Sequence, residues 1–278
     1  MKKIVLIVGA TALGLALVTA GGAVARSQAA TVRITAAMTA ANETPTPKGD
    51  VSGAQGVFTA TLAKSATGAV MTWRLEFTNL SGPAIAAHIH VAPRGTPGPV
   101  RVPLCAPCTS GMTGTANIDA TVLDAIQTDR AYVNVHTVLN AAGEIRDQVS
   151  SVASIKTSLR AAQERPKPKG KVRRAQGTFT ATVTKSGTSA VIAWRLTFSK
   201  LTGRAVAAHI HSGVRGKPGA VIVALCAPCK NGARGRATVS ASVLSALESG
   251  RAYVNIHTGK NPAGEVRGQI APVPLTIS

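Results

Sequence analysis

Three histidines recur in each half of this sequence at one spacing: His88, His90 and His136, then His209, His211 and His257, with no histidine anywhere else. The two imidazoles of a His-x-His segment project from the same side of a strand, because side chains two apart share a face. In Tyr132-Val133-Asn134-Val135-His136 the tyrosine, asparagine and histidine likewise share one face. If two such strands lie side by side, the three imidazoles of one half converge. That donor set suits copper, zinc or nickel and leaves a position open for water or another ligand. A neutral, hydrogen-bonded cluster tied to Asn134 or to backbone is the competing expectation. A pH switch is a third, since an imidazole ordinarily titrates near ~6.5.

Other groups are placed to support such a site. Asn134, Glu144 and Arg146, with Asn255, Glu265 and Arg267 in the second half, could orient the histidines from behind. Glu144 and Arg146 lie two apart, and a surface ion pair accounts for them equally well. The only other acid found in both halves is Glu43, matched by Glu164. No repeated serine or acid pair has a nucleophile or glycosidase arrangement, and there is no glycine-rich phosphate loop.

The four cysteines form two Cys-Ala-Pro-Cys segments, Cys105 with Cys108 and Cys226 with Cys229. The spacing suggests local disulfides, although four cysteines allow three pairings. A redox centre would want a helix behind the pair to lower the thiol pKa. Here Gly111 and Gly114 follow instead, so a structural clamp is the stronger expectation. A zinc site shared by all four thiolates would require distant pairs to meet.

These residues are carried by a duplication. Ala41 to Val149 aligns without a gap on Ala162 to Ile270 at an offset of 121, and 62 of the 109 positions are identical. Polar positions have drifted between the copies, yet every histidine, cysteine and aromatic residue is retained, which points to a shared requirement. Met71 to Phe77, Val57 to Leu62 and Ile192 to Phe198 alternate apolar and polar as half-buried strands do. Further strands are expected over Ala84 to Val91, Val100 to Leu104, Ala131 to Thr137 and Glu144 to Val149, with a short helix over Val122 to Gln127. Regularly spaced strands with one helical turn indicate a sandwich or barrel.

Several motifs together resemble the CHRD domain, first described in chordin and widespread in exported bacterial proteins. In the first copy they are Ala87-His88-Ile89-His90, Gly95-x-x-Gly98-Pro99-Val100, Ala131-Tyr132-Val133-Asn134-Val135-His136-Thr137 and Gly143-Glu144-Ile145-Arg146. The second copy is the more typical. The first has Val91-Ala92 where glycine usually follows the histidine pair, and Asp147 where glycine usually follows the arginine. The resemblance implies an extracellular β-sandwich module and little about activity. More faintly, the His-x-His strand, the later histidine and the Gly-x-x-Arg are similar to the copper ligands and active-site arginine of copper-zinc superoxide dismutases. No counterpart of their zinc-binding loop is present.

Met1-Lys2-Lys3, the apolar run Ile4 to Val18 and the small residues ending at Ala25 read as a secretory signal peptide, cleaved after Ala25 or near Ala29 or Ala30. An uncleaved anchor is the alternative, but the run falls short of the ~20 residues that span a bilayer comfortably. The net charge of +20 is unevenly shared. Residues 31–150 hold 8 basic and 8 acidic residues, whereas residues 151–278 hold 20 basic and 3 acidic. The proline-broken run Arg165, Lys167, Lys169, Lys171, Arg173 and Arg174 is expected to be a loop or edge strand that attracts anions, with a merely solvated basic face as the alternative. Nucleic acid fits least, as no aromatic rings interleave with the charges.

The expected architecture is therefore all-β: residues 1–30 as signal peptide, then two tandem antiparallel β-sandwich domains, Ig-like or superoxide-dismutase-like Greek-key, over residues 31–150 and 151–278. The expected function is that of a non-enzymatic binding or structural module, secreted or in the cell envelope. Its basic second domain would bind an anionic polymer, membrane headgroups or an extracellular protein. The rival from another class is a copper- or zinc-binding metalloprotein or redox enzyme.

Overall fold

A computed structural model describes residues 31–277; the expected signal peptide lies outside them. The first copy consists of β1 (Thr31–Thr39), β2 (Gln55–Lys64), β3 (Gly68–Thr78), β4 (Ala84–Val91), β5 (Val100–Cys105), β6 (Met112–Asp119), α1 (Ala120–Gln127), β7 (Ala131–Thr137) and β8 (Ile145–Gln148). The second repeats this order as β9 (Ser150–Arg160), β10 (Gln176–Ser186), β11 (Ser189–Ser199), β12 (Ala205–Ser212), β13 (Val221–Cys226), β14 (Arg234–Val239), α2 (Ala241–Glu248), β15 (Ala252–Thr258) and β16 (Val266–Gln269).

In the first copy the strands form two antiparallel leaflets, β6-β3-β2-β1 and β8-β7-β4-β5, bridged where Thr39 pairs with Arg146. The chain changes leaflet after β3, after β5 and after α1, a Greek-key crossover pattern. Alternation decides what each leaflet buries. In β3, Ala69, Met71, Trp73 and Leu75 point inward while Arg74 and Glu76 point out. They meet Ile89, Val133, Val135 and Ile145 of the other leaflet around Phe58, whose full burial contributes roughly 1.5–3 kcal/mol. The helix α1 starts where the Asp119 carboxylate accepts the Val122 N–H at 2.8 Å, and it lays Val122, Leu123, Ala125 and Ile126 on the same core. With few aromatic residues the core depends on close approach. A Cβ at Gly114 would lie 2.6 Å from the Trp73 ring, and one at Gly235 would lie 2.6 Å from Trp194.

The copies share one sheet. β9 pairs with β10 along its length and with β1 through Ser150–Thr35, Ser151–Ile34 and Val152–Arg33. Across the same seam the Ser186 hydroxyl donates to Asp129 at 2.5 Å and Lys185 to the Gln127 carbonyl at 3.2 Å. The joining stretch from Ser150 to Thr157 is therefore itself a strand. Among the described residues no helix is long and apolar enough to cross a membrane.

Candidate metal centre

β4 and β7 are antiparallel neighbours, with His88 opposite Asn134 and His90 opposite Tyr132. Ile89 enters the core, so His88 and His90 face outward. Two irregularities in the β4–β5 pairing, beside His88 and His90, adjust their aim. The three imidazoles meet on the outer face of the leaflet, beneath the loops that follow β4 and β7. One ring nitrogen from each of His88, His90 and His136 lies within 4.8 Å of the others, and the same holds for His209, His211 and His257.

Backbone carbonyls fix which nitrogens are available. A carbonyl can only accept, so His90 Nδ1, at 2.9 Å from the Gly98 oxygen, carries the proton, as does His136 Nδ1 at 3.0 Å from the Ala141 oxygen. Both Nε2 atoms then keep their lone pairs. His136 Nε2 lies 3.1 Å from His88 Nδ1, whereas His90 Nε2 is buried without a hydrogen-bond partner. The second copy reproduces each contact: His211 Nδ1 to the Gly219 oxygen at 2.9 Å, His257 Nδ1 to the Pro262 oxygen at 2.9 Å and His209 Nδ1 to His257 Nε2 at 3.1 Å, with His211 Nε2 unpartnered.

Burial pushes all six imidazoles below their ordinary pKa, His136 to about 4. For His90 the Gly98 carbonyl and the Asn134 side chain, which is near the ring but outside hydrogen-bonding geometry to Nε2, pull the other way but are outweighed, and the nearby Arg146 charge adds to the depression. The rings are thus neutral at pH 7, the form that ligates metal.

Behind them stands a second layer. The Tyr132 ring stacks on His90, the Arg146 guanidinium lies 3.5 Å from the Tyr132 ring centroid, and Arg146 Nη2 donates to the Thr96 carbonyl at 2.9 Å. Arg267 sits 3.4 Å from the Tyr253 centroid in the same way. Asn134 Nδ2 approaches Glu43 Oε2 at 3.5 Å, and Asn255 approaches Glu164 at 3.4 Å. Burial raises the pKa of both glutamates. Gly143, at φ +134°, closes this layer: a Cβ there would lie 2.4 Å from Glu43 Oε2 and 2.6 Å from Asn134 Nδ2. Glu43 and Glu164 were not expected at the site, although their retention in both copies was the available signal.

Glu144 corrects an expectation, because it neither pairs with Arg146 nor touches a histidine. β8 begins only at Ile145, so Glu144 lies in the preceding turn, where strand alternation does not apply. Its carboxylate accepts the Ser81 N–H at 2.6 Å, the Thr137 hydroxyl at 2.6 Å, the Asn140 amide at 3.0 Å and the Ser81 hydroxyl. It thereby ties the β3–β4 turn to the β7–β8 hairpin. Burial raises its pKa, but these hydrogen bonds together leave it below the usual range. Glu265 does the same with Thr202, Thr258 and Asn261.

Cys105 is bonded to Cys108 and Cys226 to Cys229. Each bridge closes a loop after an edge strand, and a strand follows rather than a helix. Arg165, Lys167, Lys169, Lys171, Arg173 and Arg174 are exposed on the loop between β9 and β10, which is tied through the Lys169 backbone to Asn261, the residue before the Pro262 carbonyl that holds His257.

A duplicated Greek-key sandwich with an imidazole cluster on the outer face of each copy defines a tandem β-module. Its family follows from the sequence as a whole: the CHRD domain model matches residues 34–149 and again residues 155–270, and the chain belongs to the CHRD domain family. No curated protein and no solved structure matches it.

Proposed function

We propose that this chain is an exported, non-enzymatic binding module in duplicate, each copy holding one transition-metal ion on three imidazoles, with the basic second copy docking on an anionic partner. The observation that carries the metal assignment is the set of lone pairs. His90 Nε2 and His136 Nε2 are made acceptors by carbonyl bonds on their Nδ1 atoms, and His88 Nδ1 stands 3.1 Å from His136 Nε2. Two nitrogens that each sit ~2.0–2.1 Å from one ion are separated by roughly 2.9–3.4 Å, so that contact already has the spacing of a shared ion. A carbonyl on the far nitrogen is the usual support of a ligating histidine, and the buried, unpartnered His90 Nε2 is otherwise a cost. His88 would pass its proton from Nδ1 to Nε2. When bound, copper or zinc would supply a Lewis-acidic centre with a position open to water or an external ligand. Export is supported by the local disulfides, which persist in oxidising compartments, and by the character of the first 25 residues.

The test is titration of the chelator-stripped full chain with Cu²⁺ and with Zn²⁺, followed by calorimetry and elemental analysis. Two ions per chain are expected, one after His90→Ala and none after His90→Ala with His211→Ala. At a free metal concentration 100 times Kd, stability should rise by about 2.7 kcal/mol per site. Failure to bind either ion in stoichiometric amount, with no thermal shift, would mean that the histidines form only a hydrogen-bonded network.

A further inference from the structure

We infer that the outer face of the β9-β10-β11-β14 leaflet is a binding groove for a linear anionic polysaccharide, a proposal that rests on the anionic partner proposed above and locates it. Strand register sets Lys156 beside Thr180, Thr180 beside Arg195, and Arg195 beside Arg234, in one row across four strands. At ~4.8 Å per strand the row runs about 15 Å. Arg236, opposite Ala193, adds a cation in the neighbouring rows. All four basic side chains are exposed, and none makes an ion pair among the described residues. The three acids of residues 151–278 lie elsewhere: Glu164 and Glu265 are buried, and Glu248 is on α2. A groove of about 570 Å³ follows this face, lined by Ser154, Lys156, Thr180, Thr182, Arg195 and Arg234.

The first copy provides an internal comparison. The same groove exists there at about 460 Å³, lined by Arg33, Thr35, Thr59, Thr61, Arg74 and Thr113. Its Arg74 is held by Glu76 at 2.8 Å. At the matching positions of the second copy Thr35 becomes Lys156, Thr113 becomes Arg234, Thr115 becomes Arg236, Arg33 becomes Ser154, and Glu76 becomes Thr197. The scaffold is retained while the face gains three cations, gives up one and loses its acid, a net change that focuses positive potential in a groove.

The character of the groove selects among polyanions. Hydroxyls of Ser154, Thr180, Thr182 and Thr197 alternate with the charges and suit sugar hydroxyls. Trp194 also lines the groove, but at 6% exposure its ring face is not open for a nucleobase to stack on. No large apolar side chain is exposed on these four strands to enter a lipid layer.

The experiment measures binding of the full chain to heparin oligosaccharides and to polygalacturonate at about 0.15 M salt. Lys156→Thr, Arg234→Thr and Arg236→Thr together restore side chains that this fold already carries in the first copy. Removal of these three charges should weaken binding roughly tenfold or more, with the imidazole site and thermal stability unchanged. A charge-matched loop variant, Lys167→Gln, Lys169→Gln and Lys171→Gln, should bind as the parent does. Loss of affinity in the loop variant but not in the face variant would overturn the groove and leave the anionic partner standing. Absence of binding by the parent to either polymer would overturn both. Tighter binding to phosphatidylserine vesicles or to duplex DNA than to both polysaccharides would overturn the ligand class.

Discussion

The imidazole of His90 and the phenol of Tyr132 are locked together twice: their rings stack 4.9 Å apart at 9°, and Gly98 joins them by accepting from His90 Nδ1 while donating its N–H to the Tyr132 hydroxyl at 2.9 Å. His211, Tyr253 and Gly219 repeat the circuit, with rings 5.0 Å apart and the Gly219 donation at 3.1 Å. Tyr132→Phe keeps the stack but strands the Gly98 N–H. A loss of about 1 kcal/mol in urea unfolding is expected, together with weaker metal binding at the first site only. Tyr132→Ala should cost about 3–5 kcal/mol. Unchanged metal affinity in Tyr132→Phe would show that the circuit does not orient His90.

Acid should destabilise the metal-free protein through its histidines. Their folded pKa values lie below the ordinary 6.5, so folding favours the neutral form. The stability they contribute is complete above pH ~6.5 and is lost as pH falls toward the folded values. For His136, displaced from 6.5 to about 4, the loss approaches about 3 kcal/mol. Glu43 and Glu164 have the opposite sign, because their raised pKa values favour protonation in the folded state, but they are two groups against six. Urea midpoints of stripped protein that stay level from pH 7 to pH 4 would contradict the assignment.

Backbone geometry predicts two unequal glycine variants. Gly143→Ala combines φ +134° with a carboxylate oxygen 2.4 Å from the new Cβ. A loss of roughly 1–3 kcal/mol is expected, with Glu43 and Asn134 displaced. Gly95→Ala meets nothing within 4 Å at φ +76° and should cost roughly 1 kcal/mol. Equal thermal shifts for the two would refute the contact with Glu43.

The disulfides close four-residue loops, for which chain entropy gives about 2 kcal/mol each. Cys105→Ala with Cys108→Ala should therefore lower stability modestly and leave two metal ions per chain. Loss of the nearby imidazole site in that variant would mean that the bridge also shapes β4 through its neighbour β5.

The strands that could be read from sequence are those that bury one face, such as β3, where inward Met71 and Leu75 alternate with outward Thr72, Arg74 and Glu76. The convergence of His88, His90 and His136 was legible for the same reason, since it needed only period two and the adjacency of two strands. β6 was not, because its residues before Ile118 stay exposed or half-buried and leave no apolar rhythm. Glu43 escaped because a loop brings it across 91 residues to Asn134. Glu144 misled because one residue of turn reverses what alternation implies. The basic face became visible only with register, which places Lys156 and Arg234 in one row from positions 78 residues apart in the sequence.

Only Val149 separates β8 from β9, and β9 is held by partners on both sides. A protease would find no slack segment at the junction of the copies. Limited digestion should therefore nick the long loop between Arg165 and Arg174 before it releases either copy, and cleavage there would leave the halves associated through the sheet.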